Sequence, residues 1–140
     1  MIDIESLIPH REPIRIITDI IELKDNSGIA AAVVNEHWPL CDGGTVGSLI
    51  LIEAIAQTAA LVESYKRKKE GKDSVKGWLV GIKSAEFKKD FIPLGTRITV
   101  AVRSLYAFDE YGVIEGEVKS GDDILLTAIL QAIRLNHDVS

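Results

Sequence analysis

Between residues 36 and 57 the chain reads EHWPLCDGGTVGSLILIEAIAQ, and the groups in it that could do chemistry are His37, Cys41, Ser48, Glu53 and Gln57. Glu53 is the most informative of them. It interrupts an apolar run, and a carboxylate taken out of water must be paired, protonated or turned towards a cavity. Two roles fit. It is either a structural acid bonded to loop backbone, or a carboxyl that desolvation keeps protonated near neutral pH, as a general acid requires. Gln57 lies one helical turn further along the same face, so the pair forms a polar stripe on an apolar cylinder. His37 sits where a strand gives way to an irregular loop, a common setting for proton-transferring imidazoles. Alone it would be an exposed loop residue; beside Glu53 it reads as the other half of an acid–base pair.

Gly43, Gly44 and Gly47 lead into the helix that carries Glu53. The first turn of a helix presents unpaired N–H groups and a positive dipole end, which can polarise a carbonyl oxygen. The same glycines do not make a dinucleotide site, because GGTVG lacks the G-x-G-x-x-G spacing and no βαβ order surrounds it. Ser48 has no G-x-S-x-G around it and is expected to help cap the helix. Cys41, the one thiol, shares a loop with His37, which leaves a nucleophilic cysteine as the lesser reading beside that of a small filler residue. Of the other histidines, His10 is expected to order an N-terminal turn and His137 to lie in the tail. No spacing matches a metal site, and no cofactor is required.

The elements that must position these groups follow from periodicity. Asp3 could cap a short turn in DIESLI. Residues 14–23, IRIITDIIEL, are rich in β-branched side chains and predict a strand. KDNSG turns the chain into IAAAVVN, the returning strand of a hairpin. A loop over EHWPLCDGGT precedes a helix from about Gly47 to about Lys69, apolar around nearly its whole circumference in the first half and charged in the second. Leu49, Ile50, Ile52, Ile55 and Leu61 are its expected buried residues. GWLVGIKSAEF then predicts a strand, FIPLG a turn, and TRITVAVRSLYAF a strand with Ile98, Val100 and Val102 on one face. YGVIEGEVKS and ILLTAILQAIRL follow, joined through SGDD. Two strands, one long helix and three or four more strands predict an α+β fold, an antiparallel sheet wrapped around a single helix.

Bulk properties narrow the function. The 140 residues fit one domain, 1–140, and 46% hydrophobic with 26% charged residues is ordinary for a soluble globular chain. A net charge of −5 gives no overall field to attract nucleic acid. A single cysteine suits a reducing compartment. The start of the chain is acidic and broken by prolines, unlike a signal peptide, and the apolar run Leu49 to Val62 is too short to span a bilayer. The expectation is a cytoplasmic protein with no membrane partner.

Three stretches together resemble one family. LIPHREPIRIITDII looks like a leading strand motif, LILIEAIAQTAAL like a central helix with its acid in an L-EA-AQ setting, and LVGIKSAEFKKDFIPLGTRI like the following strand and turn. On these the chain resembles the hotdog-fold superfamily, and within it the β-hydroxyacyl-acyl-carrier-protein dehydratases, over almost its entire length. One stretch departs. The housekeeping enzymes carry GHFPG, with the histidine fourteen residues before the acid; that count reaches Pro39 here, whereas His37 stands sixteen residues before Glu53. The longer spacing resembles the branch associated with aryl-polyene biosynthesis.

The resemblance implies a homodimer, with higher oligomers of dimers open, in which His37 of one subunit works with Glu53 of the other. It implies dehydration of 3-hydroxyacyl thioesters, on acyl carrier protein or coenzyme A, with the helix-start amides near Gly47 and Ser48 holding the thioester oxygen and Gln57 supporting the pocket. The acidic carrier would meet a basic rim, for which Lys83, Lys88, Lys89 and Arg103 are candidates, as are the cations at 66–69. A thioesterase on the same fold, or an acyl-binding subunit without activity, would use the same scaffold.

Overall fold

The computed structural model of the protein describes residues 15–72, 76–108 and 110–135. The expected turn capped by Asp3, and the settings of His10 and His137, lie outside the described residues. The elements are β1 (Asp19–Leu23), β2 (Ser27–Val33), β3 (Cys41–Asp42), β4 (Thr45–Gly47), α1 (Ile50–Lys69), β5 (Lys76–Phe87), β6 (Phe91–Pro93), β7 (Arg97–Phe108), β8 (Tyr111–Ser120) and β9 (Asp123–Leu135). Six strands form an antiparallel sheet in the order β1-β2-β7-β8-β9-β5, and β3, β4 and β6 form a second, small sheet.

Alternation explains how the large sheet holds the helix. Ile98, Val100 and Val102 on β7 are buried, as the period-two pattern predicts, with Val118 on β8 and Leu126, Ala128 and Leu130 on β9. They join Ile50, Leu51, Ile52, Ala54, Ile55 and Val62 of α1 in one hydrophobic cluster. Small residues set how near the helix can come. A β-carbon at Gly116 would run into the Ile55 side chain, and one at Gly28 would lie 2.6 Å from Cγ2 of Val62. The last turn of α1 is closed by Gly71 at φ +72°, whose N–H donates to Lys68 O while Lys72 N–H donates to Arg67 O. No helix among the described residues is long and apolar enough to cross a membrane.

Four expectations change. The first strand is regular only from Asp19, and the loop over 36–45 and the FIPLG turn contain the short strands of the small sheet. The helix starts at Ile50 rather than near Gly47. Leu49 is 59% exposed instead of buried, because it precedes the first turn and is not yet on the enclosed cylinder.

Candidate active site

Glu53 projects from the first turn of α1, half-buried, while Leu51, Ile52, Ala54 and Ile55 around it are buried. The expected polar stripe is present. Nε2–H of Gln57 donates to Oε1 of Glu53 at 3.1 Å. The other end of the same amide, Oε1 of the fully buried Gln57, accepts the N–H of Ile16 at 2.8 Å and of Ile17 at 3.4 Å. The carboxyl is therefore tied through one side chain to the segment that enters β1.

His37 is exposed on the loop between β2 and β3. Its backbone N–H donates to Oδ1 of Asn35 at 2.9 Å, and Nδ2–H of Asn35 donates to Val33 O at 3.3 Å, a side-chain-closed turn. The next residue, Trp38, donates its N–H to Asn35 O and buries its ring in the main core. Asn35 and Trp38 thus hold the loop on either side of the imidazole, a role that the sequence reading did not assign. An Asn two residues before a candidate histidine, followed by an aromatic anchor, is the signal that could have found it. No hydrogen bond or ion pair joins His37 to Glu53 within one chain.

The expected thioester donors need correction. Residues 45–47 are strand, so their amides belong to the small sheet and its neighbours. The Gly47 N–H donates to Leu40 O at 3.0 Å and the Ser48 N–H to Asp90 O at 2.9 Å, so neither amide is turned towards a ligand. Ser48 also does not cap the helix with its hydroxyl. The cap position is Leu49, which makes no side-chain cap bond, and Leu51 N–H folds back onto Ser48 O. Among the described residues, the amides of Leu49 and Ile50 have no backbone carbonyl partner.

The four expected basic residues are all exposed but do not form one patch. Arg103 lies on β7 with Nε–H donating to Glu115 at 2.8 Å, three strands from β5, roughly 14 Å at normal sheet spacing. Lys88 is bonded to Glu86, and that hydrogen bond holds the Glu86 carboxyl below its ordinary value. Lys83 on β5 and Lys89 before β6 form no ion pair among the described residues. Cys41 is a half-buried free thiol packed against the core, as a filler residue would be. A groove of about 610 Å³ crosses the outer face of the large sheet beside Arg103, Glu115 and Glu117; neither His37 nor Glu53 lines it.

The profile of the ApeP-like family, described as ApeP dehydratase, matches residues 2–140. The chain belongs to the ApeP-like dehydratase family. This ApeP-like dehydratase is 26% identical over 135 residues to the 3-hydroxyacyl-(acyl-carrier-protein) dehydratase FabZ of Burkholderia cenocepacia, covering 87% of this chain and 86% of that one. The FabZ of Burkholderia mallei is 27% identical over the same length. Among solved structures, the dehydratase heterocomplex ApeI:P from Xenorhabdus doucetiae superposes with a TM-score of 0.90 at 20% identity, over 99% of this chain and 94% of that one. A hypothetical thioesterase protein with coenzyme A from Streptococcus pneumoniae superposes at 0.67 and 13% identity, over 84% and 85% of the two chains. The ApeP-like chain therefore has the hotdog fold, a sheet wrapped around α1, and is a hydro-lyase by family.

Proposed function

We propose that the protein removes water from 3-hydroxyacyl thioesters carried on acyl carrier protein, giving trans-2-enoyl thioesters in fatty-acid or polyene-type biosynthesis. The observation that carries this reading is the half-buried Glu53 on the enclosed helix of a dehydratase-family chain, oriented by Gln57. His37 takes the C2 proton onto its imidazole. Protonated Glu53 gives its proton to the C3 hydroxyl, which leaves as water as the C2–C3 double bond forms. A proton passing from His37 back to Glu53 through solvent restores both. The charge that develops on the thioester oxygen is held by helix-start donors, a role that passes from Gly47 and Ser48 to the amides of Leu49 and Ile50.

His37 of one subunit acts with Glu53 of another across a dimer seam, the arrangement that the resemblance to the dehydratases implies. The second subunit is either a second copy or a different subunit of the same fold; the likeness to a protein taken from a heterocomplex supports keeping both. Lys83 and Lys89 are the carrier-facing cations, and the enzyme works in the cytoplasm. Supplying 3-hydroxyacyl and saturated acyl thioesters in parallel tests the reading. Enoyl product from the first is expected. Free thiol from both would instead make the protein a thioesterase, and no turnover by any assembled form would make it an acyl-binding subunit. Glu53→Gln and His37→Ala should each lower kcat by ~10²–10⁴-fold with the fold intact.

A further inference from the structure

Leu40 takes a backbone conformation that suits glycine. Its φ is +66°, the value also found at Gly43, yet it carries a branched side chain. A leucine is strained there, and burial does not offset the strain, because the side chain is 53% exposed. The loop holds this conformation through the Leu40 carbonyl, which accepts the Gly47 N–H at 3.0 Å. Two more apolar side chains gather at the same place. A β-carbon on Gly47 would lie 3.6 Å from Leu40 Cβ, so the leucine stands on the face of the small sheet to which that carbon would point. Phe91 is paired opposite Gly47 and points to the same face, 65% exposed. Leu49, 59% exposed, follows Gly47 by two residues. A single chain gains little from three large apolar groups so open to water.

We propose that this patch is a seat for a second copy of the chain, with Leu40 as its anchor. The surface is complementary to itself. His37 lies three residues before Leu40, and Glu53 lies one helical turn after the N-cap Leu49, on the same side of α1. An imidazole, which can carry positive charge, and an acid therefore flank one apolar surface. A two-fold axis through that surface turns each imidazole towards the other chain's carboxyl, a match that a partner of a single sign cannot make. Burial of Leu40 against the copy offsets the strain that its backbone carries alone. The loop is already set when the copy arrives, so little ordering is lost on contact. The inference deepens the reading of His37 and Glu53 as a pair shared across a seam, and it rests on that reading.

Sedimentation of the full chain over a dilution series, with partner exchange between labelled copies read alongside, tests the seat without reference to turnover. In Leu40→Gly, which removes the anchor and relieves the backbone, the dissociation constant or the exchange rate should rise about tenfold or more. The Gly47 amide, bonded to the carbonyl of residue 40, should stay protected from hydrogen exchange, which shows the loop intact. Phe91→Ser should weaken pairing in the same direction without touching the loop. Phe108→Ser removes a side chain that is 74% exposed at the end of β7 and should leave pairing unchanged. Pairing as tight in Leu40→Gly and Phe91→Ser as in the wild type would overturn the proposal. So would an equal loss in Phe108→Ser, or a wild type that stays single at every concentration and pairs only with a different subunit. If pairing behaves as expected while Glu53→Gln keeps full activity, the seat stands and the acid–base reading fails.

Discussion

Asn35 has no acid–base chemistry of its own, yet it fixes the backbone from which His37 projects. Its side chain accepts the N–H of His37 and donates to Val33 O, so the imidazole leaves the loop from a fixed backbone. Asn35→Ala should lower kcat by about tenfold, since small misplacements of a reacting group are costly. Asn35→Asp, which keeps the acceptor for the His37 N–H, should recover most of that loss; equal kcat for the two variants would argue against the role. The acid at 53 and its partner at 57 were legible in the sequence because a carboxyl on an apolar helix is conspicuous and an i, i+4 neighbour shares its face. The bond from Gln57 to Ile16 and Ile17 was not legible, because it spans about forty residues and depends on where the chain returns. The start of the helix was placed about three residues early, at Gly47 instead of Ile50, for a related reason. Glycines mark a change of direction, not the residue at which a helix begins.

Among the elements, α1 and the long strands could be read from period alone, and β8 spans the very residues that alternation picked out, Tyr111–Ser120. The small sheet could not. Strands of two and three residues, β3, β4 and β6, are too short to show alternation, and they exist because β4 pairs with β6 from the far side of the helix. That pairing sets Gly47 opposite Phe91 and brings Asp90 O to the Ser48 amide, which fixes where α1 starts. Where α1 meets the large sheet, the contact between Gly116 and Ile55 leaves no room for a side chain. Gly116→Val should destabilise the protein by about 1–3 kcal/mol, read as a lower urea midpoint with an unchanged slope. If Ile55 can turn aside, the midpoint will stay where it was.

At the scale of the molecule, the proposed function asks whether the site is completed by a second subunit. Mixing decides it. Inactive His37→Ala and inactive Glu53→Gln subunits, unfolded together and reassembled in equal amounts, should regain about one quarter of wild-type activity, because half the dimers are mixed and each holds one intact site. No recovery would mean that a second copy of this chain does not complete the site, leaving a chain complete in itself or a different partner subunit. The open side of β5 carries a further consequence. Among the described residues its backbone is bonded to β9 on one flank only, and it runs twelve residues with register shifts at Leu79/Gly81 and Ile82/Ser84. A rim of that length will zip onto whatever strand arrives first. Newly made chains that outnumber their mates should clump, so supply matched to the mate, rather than a sturdier core, is what should keep this protein in solution.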